Sequence, residues 1–196
     1  YIISEKVDAV IFSDFRHGIF NQTSIPTFVS SIDNKIFKAA DSQVATRWGN
    51  ILDFKNFDLI TPNEREVRFS LADQDSNISV LTQRLISLSN FKNLILKLGE
   101  RGVFSVSKSN SASLETPLSF VVPSFVSKLE DSVGAGDAML AYATLSFIAT
   151  KSLVIASIIG SVAAACECEK SGNIVVKPEQ IISKIETIEH NSKYKV

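Results

Sequence analysis

Cysteine is nearly absent: only Cys166 and Cys168 occur, two positions apart, in a chain of 196 residues. A C-x-C pair without a second Cys/His pair cannot complete a tetrahedral zinc site. Reduced, buried thiols in a cytoplasmic protein are expected instead. An excess of charge of one sign is also missing. With 20 Lys+Arg against 21 Asp+Glu the formal net charge is −1, which leaves no electrostatic footprint for nucleic acid or an anionic membrane. The longest apolar run, Leu153 to Cys166, spans 14 residues and contains Ser157 and Gly160. That is short of the ~18–20 residues a membrane span needs, so a buried core helix is expected. Tyr1-Ile2-Ile3-Ser4-Glu5-Lys6 lacks the basic flank and apolar core of a signal peptide. No G-x-G-x-x-G opens the first helix, which excludes a dinucleotide-dependent oxidoreductase.

What is present fits a compact fold: 45% apolar and 21% charged residues suit one domain with a sizeable core. Val7–Phe12 reads as a short buried strand ending at Ser13-Asp14. A helix follows from Thr23 or Ser24, with Pro26 in its first turn, to about Asn34. Strands are expected at Lys35–Ala40, Asp58–Thr61, Asn93–Leu96, Val103–Ser107 and Ser119–Pro123, with a Ser/Asn-rich turn at Lys108–Ser113. Helices are expected at Glu64–Leu71, Ile78–Leu88, Asp137–Ala149 and Leu153–Glu169, and a last one from Pro178. Strands alternating with helices predict an α/β fold, a doubly wound, mainly parallel sheet with helices on both faces. Ligands of such sheets sit beyond the carboxyl ends of the strands, where Asp14, Asn63 and Gly99 fall.

Three segments carry chemistry. In Asp131-Ser132-Val133-Gly134-Ala135-Gly136-Asp137-Ala138, two glycines around a small residue let backbone approach a ligand. The first-turn N–H groups then face it, with the helix dipole behind them. Asp137, itself an anion, is suited to taking a proton from a hydroxyl beside a phosphate; alternatively Asp131 or Asp137 only caps the helix. In Thr61-Pro62-Asn63-Glu64-Arg65-Glu66, Asn63 and Glu66 suit a hydrated Mg²⁺, or form a capping box. Lys97-Leu98-Gly99-Glu100-Arg101-Gly102 lays backbone against a nucleotide, or is simply a tight turn.

In this order, P-N-x-x-E, L-G-x-x-G and D-S-x-G-A-G-D before a helix, the motifs resemble the ribokinase-like (PfkB) family of carbohydrate kinases, from about Val7 to Pro178. Ser13-Asp14-Phe15-Arg16-His17-Gly18 is further similar to the S-D-Y-x-K-G segment in the kinase half of heptose-phosphate kinase/adenylyltransferases. The resemblance implies a phosphotransferase moving the γ-phosphoryl of ATP to a hydroxyl of a sugar or sugar phosphate. It implies Asp137 as general base and Gly134, Ala135 and Gly136 as anion hole. It implies Asn63 and Glu66 ordering Mg²⁺ and phosphate, Lys97, Gly99 and Gly102 on the nucleotide, Ser161 beside adenine, and a monovalent cation near Asp131. A homodimer is a further expectation.

The chain departs from the family pattern in places. Ser132 replaces the usual Thr, His17 stands where Lys is common, and Gln43 stands where heptose-type kinases have a D-P-K lysine. The family's early glycine-rich signature and lid strands have no counterpart here. The chain opens on Tyr1 rather than Met. Residues 1–196 are therefore expected to be a single ribokinase-like domain, the carboxyl-terminal larger part of a sugar kinase. The competing expectation is a non-catalytic descendant or fragment of the same fold that binds nucleotide or a partner without turnover.

Overall fold

The computed structural model describes residues 7–43, 50–108 and 118–193. Six strands form one sheet in the order β1-β2-β3-β4-β5-β6: Ala9–Asp14 (β1), Phe37–Ser42 (β2), Leu59–Ile60 (β3), Asn93–Lys97 (β4), Val103–Ser107 (β5) and Leu118–Val122 (β6). The first four run parallel. β5 returns along β4: Lys108 N–H donates to Lys92 O at 2.8 Å and Ser107 Oγ to Asn93 Oδ1 at 2.9 Å. The sheet is thus mixed but mostly parallel, as expected.

The helices are Ser24–Ser30 (α1), Glu64–Leu71 (α2), Ile78–Ser89 (α3), Ala135–Thr150 (α4), Leu153–Cys168 (α5) and Pro178–Lys193 (α6). Several boundaries differ from the sequence reading by one or more residues. β2 starts at Phe37 instead of Lys35 because Ile36 N–H closes a turn on Asp33 O at 3.0 Å. It then continues through Asp41 and Ser42, which pair with Ser13 and Asp14. α1 stops early, where Ser30 and Ser31 hydroxyls both bond Thr27 O; such back-bonding competes with helix propagation. α4 begins at Ala135, so Gly134 is its N-cap and the glycine motif enters the first turn. A short helical turn at Gly99–Arg101 falls within the turn expected at Lys97–Gly102, and a second one at Ile51–Asp53 has no counterpart in the sequence reading. Positions 1–6, including the signal-peptide reading, and the turn at 109–113 lie outside the described residues.

The chain divides into two compact units. The first comprises Tyr1–Gly99 and Phe104–Val121, the second Glu100–Val103 and Val122–Val196. The core of the first is aromatic. Phe12 and Phe57 meet edge-on with centroids 5.2 Å apart, and Phe54 and Phe57 at 5.4 Å; such pairs add ~0.5–1.5 kcal/mol beyond burial. Around them pack Ile60, Val67, Leu81, Leu85 and Leu94, all buried. In the second unit α4 lies tightly on α5. A Cβ at Gly160 would stand 3.0 Å from Ala143 Cβ and 3.2 Å from Met139 O, so a larger residue would press the two helices apart by a few tenths of an ångström. α6 adds Ile181 to Val162, Ala163 and Cys166, and Tyr142 Oη donates to Val176 O at 2.8 Å. Both cysteines are free and buried, and burial pushes both thiols upward. Among the described residues no helix is long and apolar enough to cross a membrane.

Candidate active site

The predicted site residues fall in both units. In the first, β3 ends at Thr61-Pro62 and Asn63 becomes the N-cap of α2. Proline has no N–H to donate to the ladder, although its carbonyl still accepts, and an Asn side chain satisfies an orphan N–H group of the helix start. Asn63 Oδ1 accepts from Glu66 N at 2.9 Å, while Glu66 Oε2 and Oε1 accept from Asn63 N and Nδ2, each at 2.6 Å. The alternative of a capping box is therefore realised in full. Glu66 is buried at 4% exposure.

Lys97 stands beside this pair. It bridges to Asn63 in parallel register, and its N–H donates to Pro62 O at 2.9 Å. Its ammonium is 2.5 Å from Asp41 Oδ2, at the end of β2. Asn63, Glu66, Lys97 and Asp41 thus form one group at the strand carboxyl ends. Sequence reasoning gave Asp41 no role, although it stands two residues before Gln43 in the segment compared with the family's D-P-K and closes a buried strand as Asp14 closes β1. Gly99 follows with φ +63° and open space around it.

Gly102 belongs to the second unit. With φ +83°, a Cβ there would lie 2.1 Å from Val122 O, so both conformation and contact demand glycine. Gly134 has φ +86°, and its Cβ would stand 2.6 Å from Asn173 Oδ1 and 2.8 Å from Glu167 Oε1. The helical ladder of α4 starts with Ala138 N–H to Gly134 O at 2.9 Å. The N–H groups of Ala135, Gly136 and Asp137 precede that ladder; Ala135 N–H closes on Ser132 O at 3.3 Å. Asp137 lies in the first turn, half-buried. Asp131 Oδ1 accepts from Val133 N at 3.0 Å, shaping the turn before the glycines. Ser161, on α5, is buried, and its Oγ has no hydrogen-bond partner.

Glu167 is the residue sequence reasoning passed over here. It is 1% exposed, its Oε1 accepts from Ile174 N at 2.8 Å, and it lies directly behind Gly134. A carboxylate inside the apolar stretch Val162–Cys168 was the available signal. Of the departures from the family pattern, His17 is exposed against Phe15. Gln43 is exposed too, with its N–H bonded to Asp14 O at 3.0 Å. Among the described residues no three His, Cys, Asp or Glu side chains cluster as a metal cage.

Known proteins resemble this chain in sequence and in fold. The bifunctional protein HldE of Helicobacter pylori strain J99 is 26% identical over 180 residues, covering 90% of this chain and 36% of that protein. The chain thus spans little more than a third of the length of such relatives. Among solved structures, ribokinase from Thermotoga maritima superposes with a TM-score of 0.72 at 21% identity, over 91% of this chain and 57% of the other. A ribokinase from Arabidopsis thaliana, complexed with ribose and ATP, gives 0.73 at 16% identity, over 91% and 56%. The fold is ribokinase-like. Residues 26–180 match the pfkB family of carbohydrate kinases, and with most of its length inside that match, the chain belongs to this family.

Proposed function

We propose that the chain is the catalytic, nucleotide-binding part of an ATP-dependent sugar or sugar-phosphate kinase, and that 1–196 is one ribokinase-like domain of it acting in the cytoplasm. The observation that carries this reading is the Gly134 turn. A left-handed glycine, packed where no side chain fits, opens α4 with its leading N–H groups ahead of the ladder and Asp137 in the same turn. Backbone donors at a helix start suit a transferring phosphoryl. Asp137 accepts the proton of the acceptor hydroxyl as its oxygen bonds to the γ-phosphorus and ADP leaves.

Asn63 and Glu66 engage each other with both carboxylate oxygens, so they suit an ion held through water better than direct ligation. Bound Mg²⁺ would neutralise charge on the transferring phosphate. Lys97 sits in the same group, and Gly99 and Gly102 shape the turn assigned to the nucleotide. Ser161 Oγ, buried without a partner, fits a hydrogen bond to adenine. Asp131, with Oδ2 beyond its bond to Val133, is the assigned place of a monovalent cation.

The test is calorimetry of the folded chain with a non-hydrolysable ATP analogue and Mg²⁺, together with a sugar-dependent ADP-release assay. Nucleotide binding is expected, with little sugar phosphorylation from this chain alone. A folded chain that binds no nucleotide would favour the non-catalytic reading.

A further inference from the structure

The first unit contains a cavity of about 1010 Å³ that none of the roles above uses. Arg16 lines it, immediately after β1. Its side chain is 6% exposed, and Nη1 is held 2.8 Å from Asp14 Oδ2. Its Nε and Nη2 are buried with no hydrogen-bond partner. These two nitrogens form one edge of the guanidinium, where parallel N–H groups match two oxygens of a carboxylate or phosphate. A buried donor left unmatched is costly, so an unfilled edge calls for an acceptor.

The rest of the lining is also biased toward donors. Asn21 Oδ1 already accepts from Thr23 N and Ser24 N, each at 2.9 Å, and Asn50 Oδ1 accepts from Leu52 N at 2.9 Å. With their oxygens engaged, both amides retain NH₂ groups to offer a ligand. Ser70, another lining residue, has a buried hydroxyl without a partner. The single carboxylate of the lining, Asp53, receives a hydrogen bond from Gln22. Burial pushes its carboxyl upward against the opposing pull of Arg16 and Lys55.

We propose that this cavity is a binding site for a small oxyanion, the carboxylate or phosphoryl group of a metabolite, seated on the Nε–Nη2 edge of Arg16. The inference is independent of the kinase reading.

The test titrates the ¹⁵N-labelled chain with inorganic phosphate, gluconate and neutral glucose, following the side-chain NH₂ resonances of Asn21 and Asn50. Saturable shifts are expected with phosphate or gluconate and not with glucose; the stronger of the two names the source. Arg16→Gln should weaken binding about tenfold or more. Arg16→Lys should fail to restore it, because charge survives but the paired edge does not. Losing Arg16 strands Asp14 in the core, so the double variant Asp14→Asn, Arg16→Gln guards against misfolding. Ser70→Phe narrows the cavity with Arg16 intact and should also weaken the shifts. Equal affinity in the folded double variant and in Ser70→Phe, or glucose binding as tightly as the anions, would overturn the proposal. So would the absence of any saturable shift with either anion.

Discussion

Gly134 and Glu167 keep their places only because Gly134 has no side chain: a Cβ there would lie 2.8 Å from Glu167 Oε1. The buried carboxylate meanwhile secures the 167–174 turn through Ile174 N. Gly134→Ala must displace Glu167 and Asn173 and also hold an L-residue at φ +86°. We expect a loss of about 1–3 kcal/mol in chemical denaturation. ATP-analogue affinity should fall as well, because the α4 start shifts. Unchanged affinity in calorimetry would argue that phosphate does not sit there.

Gly99 and Gly102 separate conformation from contact. Both have positive φ, but Gly99 faces open space while a Cβ on Gly102 would meet backbone, Val122 O, at 2.1 Å. Gly99→Ala should cost about 1 kcal/mol. Gly102→Ala should cost clearly more, since a carbonyl cannot swing aside as a side-chain tip can. Urea midpoints of the two variants check the order.

Asp137→Asn, in the complete enzyme, should lower turnover by ~10²–10⁴-fold while leaving ATP affinity nearly unchanged. Asn keeps the size of the side chain but cannot take the proton. A variant retaining more than half the rate at saturating substrate would remove Asp137 from the base role.

Glu66→Gln tests the metal assignment against the cap. Gln offers one oxygen where Glu66 accepts two bonds from Asn63, so a stability loss of about 1 kcal/mol is expected on either account. A rise in the Mg²⁺ concentration for half-maximal rate is expected only if the pair also orders the ion. A melting curve and a Mg²⁺ titration of the rate separate the two.

Glu169 governs an acid-sensitive contact. Burial raises its carboxyl, but hydrogen bonds from Lys184 Nζ and Ser127 N, each 2.6 Å away, outweigh that and hold it below its usual value of 4.5. A depressed carboxyl contributes stability above the unfolded pKa and loses it as pH falls through the folded one. Wild-type stability should therefore decline below about pH 4.5. Glu169→Gln should be less stable at neutral pH and show a smaller part of that decline. Superimposable pH–stability curves would dismiss the contact.

Helix and strand identity was legible along the chain because it rests on local periodicity and punctuation. Glu64–Leu71 and Val103–Ser107 appear with the expected limits, and Leu153 and Pro178 start helices as read. The glycine turn was legible for a related reason: its residues are contiguous, and the conformation they need is written in residue type. The family followed from the order of those motifs. Tertiary structure decided what depends on distant partners. Asp41 meets Lys97 across 56 positions, a pairing that parallel strands create and no local pattern carries. That Asn63 and Glu66 close a full capping box is likewise a matter of burial, which holds the carboxylate against the N–H groups of its own cap. Glu167 became visible only once α5 was packed behind Gly134, because a charge in an apolar helix has meaning through what it is buried against.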